Sequence, residues 1–449
     1  MFQEIQDLLL NARSRFKLAA PTSLPARARF AALALATVAS LACSTSGDIA
    51  ASDGIVVRDS AGVEIVENSA EAVAALPQWT IDTAPVLRIA GDAADNTFSS
   101  IWLIVRRKDG RIIVYDNRNR DVRQFSPTGS LETIIARGGR GPGEIGSIEK
   151  MQLLHNDSLI VFDSNQSRAT VFSPEGAFVR QINYPRIAGS AKPRLVAMLN
   201  DGRWLARLEK PFVPPTAVDG PIVRPEFAVA RIAARNGANA VADTAAAVAV
   251  DTVTLAKEME QYPSTSTEGG ETWPDVRSLQ FGKRTVIAAV GNTVFVGIGE
   301  RNEIAEYDAK KLVRIIRNGA MPAPVTAEIR EQSLAGIRAL YEASKMPESL
   351  KATVKAQLKL FKYAEVYPFY ARLIVGDDST LWAEDDYITE NEGRQYVVYN
   401  PSGRAIARVS LPARVRGFGF SRTQIVGTIL DDNDVPHVVV WRVVPPSKS

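Results

Sequence analysis

The sequence predicts an all-β fold: a six-bladed β-propeller closed by an N-terminal strand, with a two-helix insertion near 326–362. Three observations predict it. A unit of about four short strands recurs every 40–50 residues, the spacing of propeller blades. Six such units follow one another along the chain. The last unit lacks its outer strand, while a strand-like run near the start has no unit of its own.

The elements come in this order. Residues 30–42 read F-A-A-L-A-L-A-T-V-A-S-L-A, behind Arg27 and Arg29 and ahead of Cys43, the single cysteine. A basic flank, a short apolar run and small residues describe an export signal, too short to span a bilayer comfortably. The run resembles a lipobox, which implies acylation of Cys43 and a membrane anchor. The leader holds five basic and two acidic residues, and the other 48 basic and 48 acidic residues cancel. A body without net charge has no overall field for nucleic acid. The chain then divides into an export signal (1–42), a tether and N-terminal extension (43–75) and the propeller (76–445). This places the body in the cell envelope, anchored to a membrane and facing the periplasm or exterior.

The strand without a unit is Trp79–Ile89. The repeat follows it. Residues 109–129, D-G-R-I-I-V-Y-D-N-R-N-R-D-V-R-Q-F-S-P-T-G, register with residues 156–176, N-D-S-L-I-V-F-D-S-N-Q-S-R-A-T-V-F-S-P-E-G, at an offset of 47. Each ends in a Ser-Pro-x-Gly turn, where Pro sets φ and Gly permits positive φ. Fainter copies start at Asp201-Gly202, Thr293, Ser379-Thr380 and Thr423. A strand precedes each turn: Ile101–Arg106, Ile148–Leu154, Arg194–Leu199, Arg284–Val290, Phe369–Val375 and Val415–Phe420. A blade cannot bury both faces alone, so the six must ring an axis, and the early strand must complete the last blade.

Gly141-Pro142-Gly143-Glu144-Ile145, Asp157–Asp163 and Arg168–Gly176 together resemble an NHL-type repeat. They are also similar to bacterial six-bladed propeller lipoproteins with a G-x-G-P-G-E turn. The resemblance is sharp over about 100–185 and loose afterwards. It implies six blades and no single activity, because propellers host unrelated functions.

Three stretches depart from the ring. Residues 211–225 hold five prolines and read as a loop inside the third blade. Residues 260–275 are rich in Gly, Ser and Thr and read as a polar connector. Segment 326–362 changes to helical spacing, with Thr326 as N-cap of one helix and Pro347 opening a second. Its apolar stripe would cap the propeller, and Lys351, Lys355, Lys359 and Lys362 would face solvent.

The candidate ligand-binding residues are Arg137, Arg140, Glu144 and Glu384. The first three flank the glycine-rich run 138–144, which lacks the Lys-Ser/Thr of a phosphate loop and reads as an inter-blade crossover. Glu384 belongs to an acidic cluster with Asp385, Asp386 and Glu390, which reads as a solvated loop. No metal ligand set is expected: two histidines, His155 and His437, and no cysteine in the body cannot build a zinc site. No G-x-S-x-G elbow supports a serine triad. The first reading is a non-catalytic scaffold without cofactor, binding a small ligand, glycan, peptide or envelope protein. The alternative is a calcium-assisted hydrolase or lactonase at the channel mouth, with Glu149 as one oxygen donor among the six to eight that calcium needs.

Overall fold

The computed structural model describes residues 49–446 apart from 53, 90–96, 214, 216–219, 234–248, 269–270, 345, 390–392 and 413. The leader, Cys43 and Glu390 lie outside the described residues. The described chain opens with β1 (Ile49–Ser52), β2 (Ile55–Ser60), β3 (Val63–Asn68), the short helix α1 (Ala70–Ala74), β4 (Gln78–Ile81) and β5 (Leu87–Ile89). Blade 1 is β6 (Ile101–Arg106), β7 (Ile112–Asp116), β8 (Asp121–Phe125) and β9 (Leu131–Arg137). Blade 2 is β10 (Ile148–Leu153), β11 (Leu159–Asp163), β12 (Arg168–Phe172) and β13 (Phe178–Asn183). Blade 3 is β14 (Arg194–Met198), β15 (Arg203–Glu209), β16 (Glu226–Ala233) and β17 (Val250–Lys257). A separate hairpin, β18 (Gln261–Glu268) and β19 (Glu271–Ser278), precedes blade 4. That blade is β20 (Val286–Val290), β21 (Thr293–Gly297), β22 (Glu303–Asp308) and β23 (Lys311–Asn318). Helices α2 (Ala327–Ala343) and α3 (Glu348–Leu358) precede blade 5, which is β24 (Arg372–Val375), β25 (Leu381–Thr389), β26 (Gly393–Tyr399) and β27 (Ala405–Leu411). Blade 6 is β28 (Val415–Phe420), β29 (Gln424–Leu430) and β30 (Pro436–Val444), completed by β5.

Strand periodicity builds the ring. Side chains alternate between the two faces of a sheet, so each blade feeds two interfaces. In β11, Leu159 and Val161 join a core with blade 1, while Ile160 and Phe162 join one with blade 3. In β25, Leu381 and Ala383 face blade 4, and Trp382 faces blade 6. Ile112 and Val114 of β7 meet Val438 and Val440 of β30, which seals blade 1 against blade 6. The blade 3–4 core, with Leu205, Val294 and Val296, completes six inter-blade cores.

The N-terminal strand closes the last blade as the strand count requires. Ile89 pairs antiparallel with Val438, and Leu87 with Val440. The single run expected over Trp79–Ile89 is two short strands, because Pro85 has no N–H to give a ladder. The first of them, β4, runs parallel to β27 and antiparallel to β30, so it staples blade 5 to blade 6. The extension before it is also structured. Strand β3 runs parallel to β23 on the outer edge of blade 4. Asn68, 1% exposed, ends β3. Its amide nitrogen donates to the carbonyls of Arg317 (3.0 Å) and Gly403 (3.2 Å), and its oxygen accepts from Ala405 N (2.8 Å).

The connector expected over 260–275 is instead the β18–β19 hairpin, paired from Gln261↔Ser278 to Glu268↔Glu271. Its inward positions, Tyr262, Ser264 and Ser266, are buried. Hydroxyls occupy them and are satisfied locally: Arg277 Nε donates to Ser264 Oγ at 2.8 Å, and Ser266 Oγ donates to Asp275. The two-helix insertion is present, and Thr326 Oγ1 accepts from Ile329 N at 3.3 Å. Its apolar stripe, Ile337, Tyr341, Val354 and Leu358, packs helix on helix instead of capping the ring. Tyr262 ties the insertion to the hairpin, donating to Leu360 O (2.7 Å) and accepting from Lys362 N (3.0 Å). Lys355, Lys359 and Lys362 are exposed, whereas Lys351 donates to Glu342 O. Among the described residues, no helix is long and apolar enough to cross a membrane.

Replacing Asn68 with Ala removes three buried hydrogen bonds that join the extension to blades 4 and 5. At roughly 1 kcal/mol each, the loss should be about 2–4 kcal/mol, read as a lowered midpoint in chemical denaturation.

Candidate functional site: the channel mouth on the crossover face

Each blade is an antiparallel meander, so its connections alternate between the two ends of the ring. Outer-to-inner crossovers and the loops between second and third strands open on one end, the crossover face. The tight turns open on the other, the turn face. The inner strands β6, β10, β14, β20, β24 and β28 surround the axis and begin at the crossover face.

The crossovers before blades 1 and 2 are locked by the aspartates of the repeat. Asp116 accepts from Ser99 N (2.6 Å) and Ser100 N (3.1 Å). Asp163, its counterpart, accepts from Gly146 N (2.5 Å) and Ser147 N (3.3 Å). Between them lies the glycine-rich crossover. Glu144 folds back on it, accepting from Gly141 N at 2.7 Å. A Cβ on Gly139 would stand 2.0 Å from that carboxylate, so a larger residue there would displace the Glu144 side chain. The Arg168 guanidinium donates to the carbonyls of Arg140 (3.2 Å), Gly141 (3.1 Å) and Glu144 (2.9 Å). The loop's hydrogen-bonding groups thus hold the loop itself, and Arg137 and Arg140 are exposed at its rim.

Glu384 stands across the ring from them, on β25 of blade 5, and the structure does not bring it together with Arg137, Arg140 or Glu144. The solvated acidic loop expected at 384–386 is instead part of a strand. The Glu384 side chain is only 3% exposed. It pairs with Arg372 on inner strand β24 (2.7 Å) and with Arg394 on β26 (2.7 Å), and accepts from the Tyr396 hydroxyl at 3.0 Å. Burial pushes its carboxyl up, but Arg372 and Arg394 outweigh burial and hold it below the ordinary value. Arg372 also donates to Gly417 O of blade 6 at 3.3 Å, so the cluster bridges two blades at the mouth.

Arg416, on β28, is the third guanidinium. It lies 4.8 Å above the Phe418 ring and is solvent-accessible. Among the described residues, no carboxylate forms an ion pair with it. Protein surrounds the channel wall closely enough that burial, then the charges of Arg372 and Arg394, depress Arg416 to about 10. Three guanidiniums therefore share one carboxylate. Beside them, Arg284 of blade 4 pairs with buried Asp386 at 2.6 Å. The intervening Asp385 is pushed up to about 7 by burial, and the Glu384 charge adds to that while Arg408 opposes it.

Arg372, Arg394, Tyr396 and Arg416 were not among the sequence candidates. A usable signal exists for two of them: single charged residues, Arg372 and Arg416, interrupt otherwise apolar inner strands. Among the described residues, no three Asp, Glu, His or Cys side chains stand close enough to share a metal ion. Glu149 is at the opposite side of the mouth on β10.

Residues 94–185, blades 1 and 2 with their lead-in, match a protein family described as a 6-bladed beta-propeller. Comparison with curated proteins gives no match. Among solved structures, a DUF4221-family protein of Bacteroides vulgatus is similar at 11% identity, TM-score 0.45, over 83% of this chain and 99% of that one. A protein of Bacteroides fragilis, provisionally described as exported, is similar at 11% identity, TM-score 0.41, over 82% and 99%. A catalytically inactive virginiamycin B lyase of Staphylococcus aureus is similar at 8% identity, TM-score 0.37, over 82% and 100%.

Asp385 yields a pH prediction. Its carboxyl has a higher pKa folded, about 7, than the ordinary 3.8. The stability it contributes is therefore full below 3.8 and is lost as pH rises to about 7. Asp385→Asn should gain stability over the unmodified protein on going from pH 5 to pH 8. Denaturation midpoints of the pair at both pH values check the sign.

Proposed function

We propose that this protein is an envelope propeller, held to the membrane through an acylated Cys43, that binds an anionic ligand at its channel mouth without transforming it. The ligand class is a carboxylate-bearing small molecule, an acidic glycan or an acidic peptide segment of an envelope partner. One observation carries the reading: Arg416 stands on an inner strand, partly desolvated and beside two further guanidiniums, and among the described residues no carboxylate forms an ion pair with it. A depressed guanidinium pKa means that the folded protein pays to keep that charge, and a bound anion relieves the cost. Guanidinium groups suit carboxylates because their N–H donors match the two oxygens. The rigid ring of inner strands supplies a preorganised site. A scaffold role agrees with the donor set, which offers positive charge and one sequestered carboxylate but no nucleophile paired with a base.

Titration calorimetry with glucuronate and with citrate tests the site. Saturable binding that weakens with added salt is expected, and Arg416→Ala should lower affinity about tenfold, the worth of one charge-assisted hydrogen bond. Binding indifferent to Arg416→Ala would place the ligand elsewhere and end this reading.

The anchor is tested separately. Cys43→Ser should move the protein from the membrane fraction to the soluble fraction, and retention on membranes would count against acylation.

A further inference from the structure

The turn face carries a concavity, unrelated to the channel mouth. A cleft of about 520 Å³ lies between blades 1 and 2, with Arg107 among the residues that line it. Arg107 follows β6 and is 4% exposed. Its Nε donates to Gln124 Oε1 at 3.1 Å, and its Nη1 donates to the Asp157 carbonyl of blade 2. Among the described residues its Nη2 has no hydrogen-bond partner. In the register of the repeat this position is Leu154 in blade 2, so packing alone does not call for a guanidinium there.

The charges around the cleft sort themselves by blade. Arg111 is already engaged by Asp109 (2.6 Å) and Glu132 (2.8 Å). Gln124 adds a hydrogen bond to Glu132 at 3.1 Å. Set those aside, and two cations and two carboxylates are left to face a ligand. Arg107 and Lys108 come from the first turn of blade 1. Asp157 and Glu175 come from the two turns of blade 2, and both act electrostatically on Arg107. One wall is therefore positive, the other negative, and the floor holds an unused donor. A simple anion would meet the carboxylates, and a simple cation would meet the guanidinium.

We infer that this cleft binds a zwitterion of short-peptide size, its carboxylate on Arg107 and Lys108 and its ammonium on Glu175 and Asp157. The volume lies within the range of small-molecule sites and suits two to four residues better than a single amino acid.

Trialanine with free termini is the probe, titrated calorimetrically into the folded protein carrying Arg416→Ala, so that the channel mouth does not contribute. Saturable binding is expected. N-acetyl-trialanine and trialanine amide, each lacking one terminal charge, should bind at least fivefold more weakly. Lys108→Ala and Glu175→Gln, both surface changes, should each cost at least fivefold with an unchanged melting temperature. No binding of trialanine overturns the inference, as does equal binding of the capped peptides, which would make the cleft a site for one charge only.

Discussion

The structure depends on the burial of middle strands on both faces, which is complete in blade 1 and in the second strand of blade 2. All five residues of β7, β8 and β11 are buried. Such a sheet cannot exist alone, since each exposed aliphatic side chain would forgo about 1.5–3 kcal/mol of burial. Each blade therefore needs a neighbour on both sides, and only a closed ring gives every blade two. The chain solves closure with its first strands. Strand β5 supplies the outer strand that blade 6 lacks, and β4 ties the outer strand of blade 5 to β30. The extension continues this lacing to blade 4 through β3. Opening the ring at blade 6 would expose two apolar faces at once, which couples the N-terminal segment to the stability of the whole.

How much of this was legible follows from which interactions are local. The repeat was legible because its signals sit within a few residues of one another: Pro-x-Gly turns, apolar middle strands and the aspartates 116 and 163. The missing-strand count gave closure, although Pro85 split the closing strand in two. The β18–β19 hairpin was not legible, because its buried positions hold Tyr262, Ser264 and Ser266. Period-two burial was there, but hydroxyls satisfied by Arg277 and Asp275 carried it, and a hydrophobicity pattern does not register them. The channel mouth was half legible. Glu384 was singled out, but its partners Arg372 and Arg394, and the nearby Arg416, come from three other strands, and only the fold brings them together.

The fifth blade shows what happens when the repeat is interrupted. In the register of Asp109-Gly110 with Asp378-Ser379, Asp385 falls where Asp116 and Asp163 lock their crossovers. Before blade 5 the short crossover is replaced by α2 and α3, and the amide pair that would satisfy the carboxylate is gone. Among the described residues no donor reaches Asp385. A carboxylate kept in a closing ring without hydrogen bonds holds its proton more tightly, and its raised pKa follows from that substitution of an insertion for a lock.

The same interruption bears on why the positive charge collects where it does. Glu384 can compensate Arg372 and Arg394 because all three sit on adjacent strands of one blade with the Tyr396 hydroxyl completing the carboxylate's hydrogen bonds. Arg416 enters from the next blade, on a strand whose Gly417 and Gly419 pack tightly against Phe420 and Val426. Its guanidinium gains the Phe418 ring, an attraction of about 0.5–1 kcal/mol at accessible sites. It also meets two like charges in a partly desolvated setting. A stacking contact of that size is a small return against such repulsion, so packing gives no reason to keep a charge there. A scaffold selected for packing alone would place an apolar side chain on this wall, as most inner-strand positions do. On the function proposed above, an anion that enters the channel supplies the counter-charge that packing does not give to this guanidinium.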